Sequence, residues 1–254
     1  MKLIDTHAHL YVEQFKEDIQ SVISRAKESG ANKVFLPNID ETTSQNLIDL
    51  WQKDPSFFYP MMGIHPCSIK KEYKPQLEPI FKLFENYKFI AVGEIGLDYY
   101  WSKDLIEEQK AAFIEQIRFA KKNQLPIAVH CRDAYDDTLH IIEQEQDGRL
   151  RGVLHCFTGN VEQAERLVKA GFKMGLGGVL TFKNAGLDKV VAEFPIENFI
   201  LETDAPYLAP HPHRGKRNES SYVKLVAQKL ADIYNISIEE VAETTTKTAE
   251  ELFL

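Results

Sequence analysis

The sequence has no apolar run approaching the roughly 20 residues that a bilayer-spanning helix needs, and Asp5 breaks the N-terminal run before a signal-peptide core can form. No membrane association is therefore expected, and the chain is expected in the cytoplasm. Cysteine is scarce: Cys67, Cys131 and Cys156 form an odd set without a compact disulfide spacing. That suits a reducing compartment. Positive charge is also short, with 30 Lys and Arg against 38 Asp and Glu and a formal net charge of −8. The balance weighs against a broad basic footprint for nucleic acid. It does not exclude a phosphate substrate, because bound cations can dominate the local charge of a pocket in an acidic chain. Repeats, low-complexity tracts and linker-like stretches are missing too, so residues 1–254 read as one domain, expected as a monomer.

What is present is a regular alternation. Eight short, nearly continuous apolar runs occur at 2–5, 34–37, 58–64, 89–95, 127–130, 153–155, 172–176 and 199–201, as expected of parallel strands buried on both faces. Amphipathic segments at 15–29, 105–123, 133–145, 161–170 and 222–234 alternate with them at helical spacing. Two more, 238–244 and 246–253, are expected on the outside of the closing strands. Eight strand-then-helix units with right-handed crossovers close most simply into an α/β TIM (β/α)8 barrel, with an open doubly wound sheet as the alternative.

The chemistry-bearing residues fall at the carboxyl ends of these runs. His7 and His9 end the first as His-x-His, and residues two apart on a strand share a face. Glu94 ends run four, His130 run five and His155 run six, while Asp204 follows run eight. TIM-barrel sites gather where those ends converge. One histidine alone would be a core imidazole satisfied by a carbonyl. Four imidazoles and two carboxylates at one mouth need partners to be buried, and metal coordination supplies them. Six ligands suffice for two divalent cations, with Glu94 as the bridge, clamping attacking and leaving oxygens. Imidazole favours zinc, manganese, iron, cobalt or nickel, and carboxylate admits magnesium, so the mixed set names no metal. Asp204 is expected both to bind metal and to take the proton of the attacking water. Glu202, two residues earlier and on the same face, is expected either to support the site or to form an ion pair beneath it. His65, at the end of run three, is expected to contact substrate or protonate the leaving group, or else to cap its loop.

With Leu3-Ile4-Asp5-Thr6-His7-Ala8-His9-Leu10, Gly93-Glu94-Ile95-Gly96-Leu97-Asp98-Tyr99, Pro126-Ile127-Ala128-Val129-His130-Cys131-Arg132, His155-Cys156-Phe157-Thr158-Gly159 and Leu201-Glu202-Thr203-Asp204-Ala205-Pro206, the chain resembles the TatD family of metal-dependent deoxyribonucleases nearly end to end. The resemblance implies a barrel of the amidohydrolase superfamily, two divalent metals, and 3′ to 5′ exonucleolytic hydrolysis of DNA phosphodiesters. It also implies His7, His9 and Asp204 on one metal, His130 and His155 on the other, and Glu94 shared. The sequence departs from the family where Tyr11 replaces the usual Asp or Asn, and where Ser220 replaces proline.

Two further features concern substrate. Tyr99-Tyr100-Trp101 could stack on a base or plug the rim. The basic stretch His211-Pro212-His213-Arg214-Gly215-Lys216-Arg217 could hold a phosphate backbone or remain a solvated loop. Another superfamily hydrolase, acting on a lactone, cyclic amide or phosphotriester, is the first rival. Its frequent carbamylated lysine has no counterpart here, since no lysine ends run five. A non-catalytic binding barrel is the second, and gives no reason to keep six ligands.

Overall fold

The computed structural model describes residues 1–101 and 103–254. Eight parallel strands follow one another: β1 (Leu3–Asp5), β2 (Ala31–Pro37), β3 (Phe58–Met61), β4 (Val92–Asp98), β5 (Ile127–Arg132), β6 (Gly152–Leu154), β7 (Phe172–Leu176) and β8 (Phe199–Leu201). Hydrogen-bonded ladders join β1 to β3 and β4 to β8. Single bridges, Met61 to Ala91 and Ala8 to Ala205, join the two sets into a TIM-barrel ring. The helices among the described residues are α1 (Ile19–Ser29), α2 (Ser44–Lys53), α3 (Tyr73–Asn86), α4 (Ile106–Lys122), α5 (Tyr135–Glu145), α6 (Val161–Lys169), α7 (Leu187–Val191), α8 (Val223–Tyr234) and α9 (Ile238–Phe253). None is long and apolar enough to cross a membrane.

The apolar pattern understates β4 and β5. Expected to end at Ile95 and His130, they continue to Asp98 and Arg132, with Gly96 opposite His130 and Asp98 opposite Arg132. Gly96 sits at φ +140°, and a Cβ there would lie 2.0 Å from the His130 carbonyl oxygen, so the two strands approach closely only because position 96 is glycine. Glu94 and His130 thus lie within their strands and not at the ends. Two other expectations change. The segments 238–244 and 246–253 are one helix, α9, because Thr245 Oγ1 donates to the Val241 carbonyl at 2.8 Å and Thr246 Oγ1 to that of Lys2 at 3.0 Å. These contacts outweigh the weak helix preference of the threonine run. And α9 does more than cover strand exteriors, since its last turn enters the barrel floor.

That floor is a layer of Ile4, Phe35, Met61, Ala91, Ala128, Val153 and Ile200, sealed by Ala249, Leu252 and Phe253 of α9. Phe253 meets Phe35 edge-on at 5.3 Å. Strand alternation links floor to mouth: Ala128, Val153 and Ile200 each lie two residues before His130, His155 and Glu202, so the same inward faces carry the apolar layer below and the polar layer above.

Candidate metal centre

The main chain sets the first ligands. Where the ring closes, Thr6 N donates to the Leu201 carbonyl (3.0 Å), Asp204 N to that of His7 (2.8 Å) and His9 N to that of Ala205 (2.7 Å). His7, His9 and Asp204 are therefore registered against one another by backbone bonds. Asp204 and Cys156 hold left-handed backbone conformations, at φ +59° and +45°, which non-glycine residues adopt at a cost and which cluster at functional sites. Thr203, pointing away from the mouth as alternation requires, donates through N (2.9 Å) and Oγ1 (2.7 Å) to Asp5.

All six candidate ligands come together around the Glu94 carboxylate. Its Oε2 lies 3.2 Å from His7 Nε2 and 3.3 Å from His9 Nε2. Its Oε1 lies 2.9 Å from both His130 Nδ1 and His155 Nε2. Asp204 Oδ1 stands 3.9 Å from His7 Nε2 and 3.8 Å from His9 Nε2. The His7 and His155 rings stack at 3.8 Å. His7, His9, Glu94 and His155 are at most 4 % exposed. The side chains of Asp204, His130 and His65 are 13 %, 16 % and 16 % exposed, so approach is from their side.

The distal ring nitrogens explain why these imidazoles point inward. His130 Nε2 donates to Asp98 Oδ2 at 2.9 Å, leaving its Nδ1 lone pair toward Glu94. Tyr11 Oη donates to the Pro37 carbonyl at 2.5 Å and so accepts from His9 Nδ1 at 3.0 Å, freeing His9 Nε2. His155 Nδ1 faces Glu202 Oε1 at 3.4 Å, and the same oxygen accepts from Cys156 N at 2.5 Å. The partners of His130 and His9 each fix a tautomer and aim the other nitrogen, while Glu202 lies against His155 without a hydrogen bond to it. Glu202 thus lies against His155 and the Cys156 amide. A Cβ on Gly175 would lie 2.2 Å from Glu202 Oε2, so that carboxylate owes its seat to a glycine.

His65 differs. Its Nδ1 accepts from Cys67 N at 3.1 Å, capping a short 3-10 turn, and its Nε2 points at Glu94 Oε1 from 3.4 Å. The ring thus caps its loop, as expected on the structural alternative, and also faces the site. His65, Glu94 and His130 offer ligand atoms within 4.8 Å of one another, as do His7, His9 and Glu94, and His7, His155 and Asp204. In a neutral ring whose Nδ1 accepts a hydrogen bond, however, Nε2 carries the proton, so His65 presents a donor and not a lone pair.

Charge follows geometry. Burial pushes the Glu94 carboxyl up, but the imidazoles of His155, His65 and His7 more than offset this and hold it well below the ordinary carboxylate range. Burial pushes Asp204 up to about 6 and Asp5 up to about 7. Burial depresses His155, and the facing Glu94 and Glu202 override it and raise it well above the ordinary imidazole range. Burial, then His155, push His7 well below it. Several basic nitrogens thus crowd a single buried carboxylate with only protons to share among them. The described residues offer His7 Nδ1 no hydrogen-bond partner. Divalent cations fit this donor set, because imidazole nitrogens converging on an ionised carboxylate are the donors that such cations take in place of protons.

The family described as TatD related DNase matches residues 4–254. The chain belongs to the TatD family. It is 41% identical to the uncharacterized metal-dependent hydrolase YabD of Bacillus subtilis, over 99% of this chain and 98% of that protein. It is 28% identical to the 3′-5′ ssDNA/RNA exonuclease TatD of Pectobacterium carotovorum, over 99% of each. The crystal structure of YjjV, a TatD homologue from Escherichia coli, superposes with a TM-score of 0.93 at 29% identity, covering 99% of this chain and 97% of that one. The protein is accordingly a metal-dependent hydrolase of the TatD family.

Against this TatD centre, sequence reasoning missed Asp98 and misjudged Tyr11. Asp98 was visible, as a carboxylate four residues after Glu94, but the strand appeared to end before it. Tyr11, noted in the sequence only as a departure from the family, is a buried partner of His9. Of the basic stretch, Arg217 is bound to Asp18 (2.7 and 2.8 Å) and His213 stacks on Tyr222 at 4.3 Å, so neither is free for a phosphate. Arg214 lies 4.1 Å over Phe182 and lines a cleft of about 590 Å³ with Lys183 and His211. That cleft has no carboxylate on its walls.

Proposed function

We propose that the protein hydrolyses phosphodiester bonds of single-stranded DNA from the 3′ end, with two divalent cations held by His7, His9, Glu94, His130, His155 and Asp204. The observation that carries this reading is the division of Glu94: Oε2 faces His7 and His9 while Oε1 faces His130 and His155. A carboxylate whose two oxygens face different imidazole sets could help hold two ions, one with each set. His155 stands within reach of both sets and completes the one opposite His9. Bound cations supply Lewis acidity that makes water a competent nucleophile near neutral pH and offsets phosphoryl charge.

The chain's own residues do the rest. Asp204, whose side chain is on the exposed side of the site, takes the proton of the attacking water. Glu202 does not touch the reacting atoms; it holds His155 and the Cys156 amide in place. His65 Nε2–H, on the exposed side, donates to a phosphoryl or leaving oxygen. Asp98 and Tyr11 keep His130 and His9 in the tautomers that bind metal. The exonuclease activity named for the Pectobacterium relative and the carboxylate-free cleft lined by Lys183, His211 and Arg214 both favour a polynucleotide over a lactone.

The test uses 3′-labelled and 5′-labelled single-stranded DNA with magnesium, manganese, zinc or chelator. Stepwise loss from the 3′ end, abolished by chelation, by Glu94→Ala and by Asp204→Asn, is expected. Turnover of lactones with DNA untouched would overturn it.

A further inference from the structure

Next to the metal centre lies a group of aromatic and cationic side chains that the hydrolytic chemistry does not use. Tyr100 and Trp101 are 53 % and 69 % exposed, large values for rings of this size. They are not loosely placed. Asp98 Oδ1 accepts from both Tyr100 N and Trp101 N at 2.9 Å, while its Oδ2 holds His130. One carboxylate therefore fixes a metal-centre imidazole and the backbone of the aromatic pair. Arg132 follows His130 by two residues on β5, on the same strand face. Its guanidinium lies 3.9 Å over the Tyr100 ring and 5.5 Å over that of Trp101. No carboxylate pairs with it among the described residues. The two rings meet edge to face at 4.9 Å, so the Trp101 face turned to solvent is not covered by Tyr100. Tyr99, expected in the same group, belongs to the scaffold: its hydroxyl donates to Asp137 at 2.7 Å.

We infer that Tyr100, Trp101 and Arg132 form a nucleobase platform, on which a base of a single-stranded DNA substrate stacks beside the phosphodiester being cut. Trp101 supplies the stacking face. Arg132, held flat on Tyr100 by cation–π attraction, keeps its N–H edge free for the adjoining phosphate. A planar base is the ligand that this chemistry fits: aromatic faces accept any base, and the unpaired guanidinium selects for a neighbouring anion. Fixation through Asp98 makes the distance between stacked base and metal centre a constant of the fold. The inference rests on the phosphodiesterase reading.

The test separates the two. In a Trp51→Phe background, Trp101 is the remaining tryptophan, and its emission is followed while oligothymidylate is added to protein held in chelator, where no hydrolysis occurs. Saturable quenching is expected. With metal restored, Trp101→Ala lowers kcat/KM on single-stranded DNA about 5- to 150-fold. The loss falls below about twofold when the strand carries abasic sugars at its 3′ end, because the substitution and the missing base remove one and the same contact. Trp101→Phe recovers most of the loss, and Arg132→Ala lowers the slope of log affinity against log salt by about 1. Emission unmoved by saturating oligonucleotide, or an equal loss on normal and abasic strands, overturns the platform while leaving the nuclease reading intact. Quenching in a protein that degrades no DNA overturns the nuclease reading and leaves a base-binding surface standing.

Discussion

A histidine becomes a metal ligand only when something decides which of its nitrogens keeps the proton. Tyr11 makes that decision for His9, accepting from Nδ1 because its own proton is committed to Pro37. Tyr11→Phe keeps the buried ring and removes the acceptor. Metal affinity should fall about 10- to 100-fold, read by chelator competition and by the visible spectrum of cobalt-loaded protein. An unchanged affinity would show that Tyr11 merely fills space. Asp5 offers a second case. Its carboxyl, ordinarily at 3.8 and pushed to about 7 by burial, is higher in the folded chain than in the unfolded one. The stability it contributes is whole below pH 3.8 and drains away as pH rises through 7, on the order of 4 kcal/mol for a shift of this size. Metal-stripped wild type should therefore lose more denaturation midpoint between pH 4 and pH 7 than Asp5→Asn does. Parallel profiles would refute this. The six candidate ligands were legible as a group because His-x-His and carboxyl-end placement are properties of the chain. The roles of Tyr11 and Asp98 were not, because a hydrogen bond to a distal nitrogen depends on how separate segments meet.

Elements were legible wherever burial writes a continuous apolar run, and 172–176 and 199–201 match β7 and β8 residue for residue. Run four misled because Gly96 and Asp98 carry no apolar signal, yet they belong to β4 by virtue of their ladder with β5. Pro79 inside α3 masked a helix that its neighbours support. In α9 the threonines were read as a break, and the start was not. Ser237 and Glu240 form a reciprocal cap, with Glu240 N donating to Ser237 Oγ at 3.2 Å and Ser237 N donating to Glu240 Oε2 at 2.9 Å. Ser237→Ala should cost about 1 kcal/mol, lowering Tm by roughly 2 to 4 °C without altering hydrolysis. Because α9 carries Phe253 into the floor, a Tm loss far above that range would show the cap to hold the whole plug and not one helix end.

At the scale of the molecule, a chain of net charge −8 assembles a mouth in which basic and acidic groups are matched to cations it must recruit. Cations that bind the folded state alone stabilise it by mass action. At free metal one hundred times Kd, each filled site is worth about 2.7 kcal/mol. Exhaustive chelation of both sites should lower Tm by roughly 10 to 20 °C, and Glu94→Ala should abolish that dependence. A Tm indifferent to chelator would mean that the cluster is held together by protons alone. The barrel closes between β1 and β8 through backbone bonds at Thr6, Asp204 and His9, so residues from the first and last strands share one pocket. A ribosome that has released His7 and His9 must still synthesise nearly two hundred residues before Asp204 emerges. A chain cut before β8 would lack Asp204 and the backbone bonds that register His7 and His9 against it.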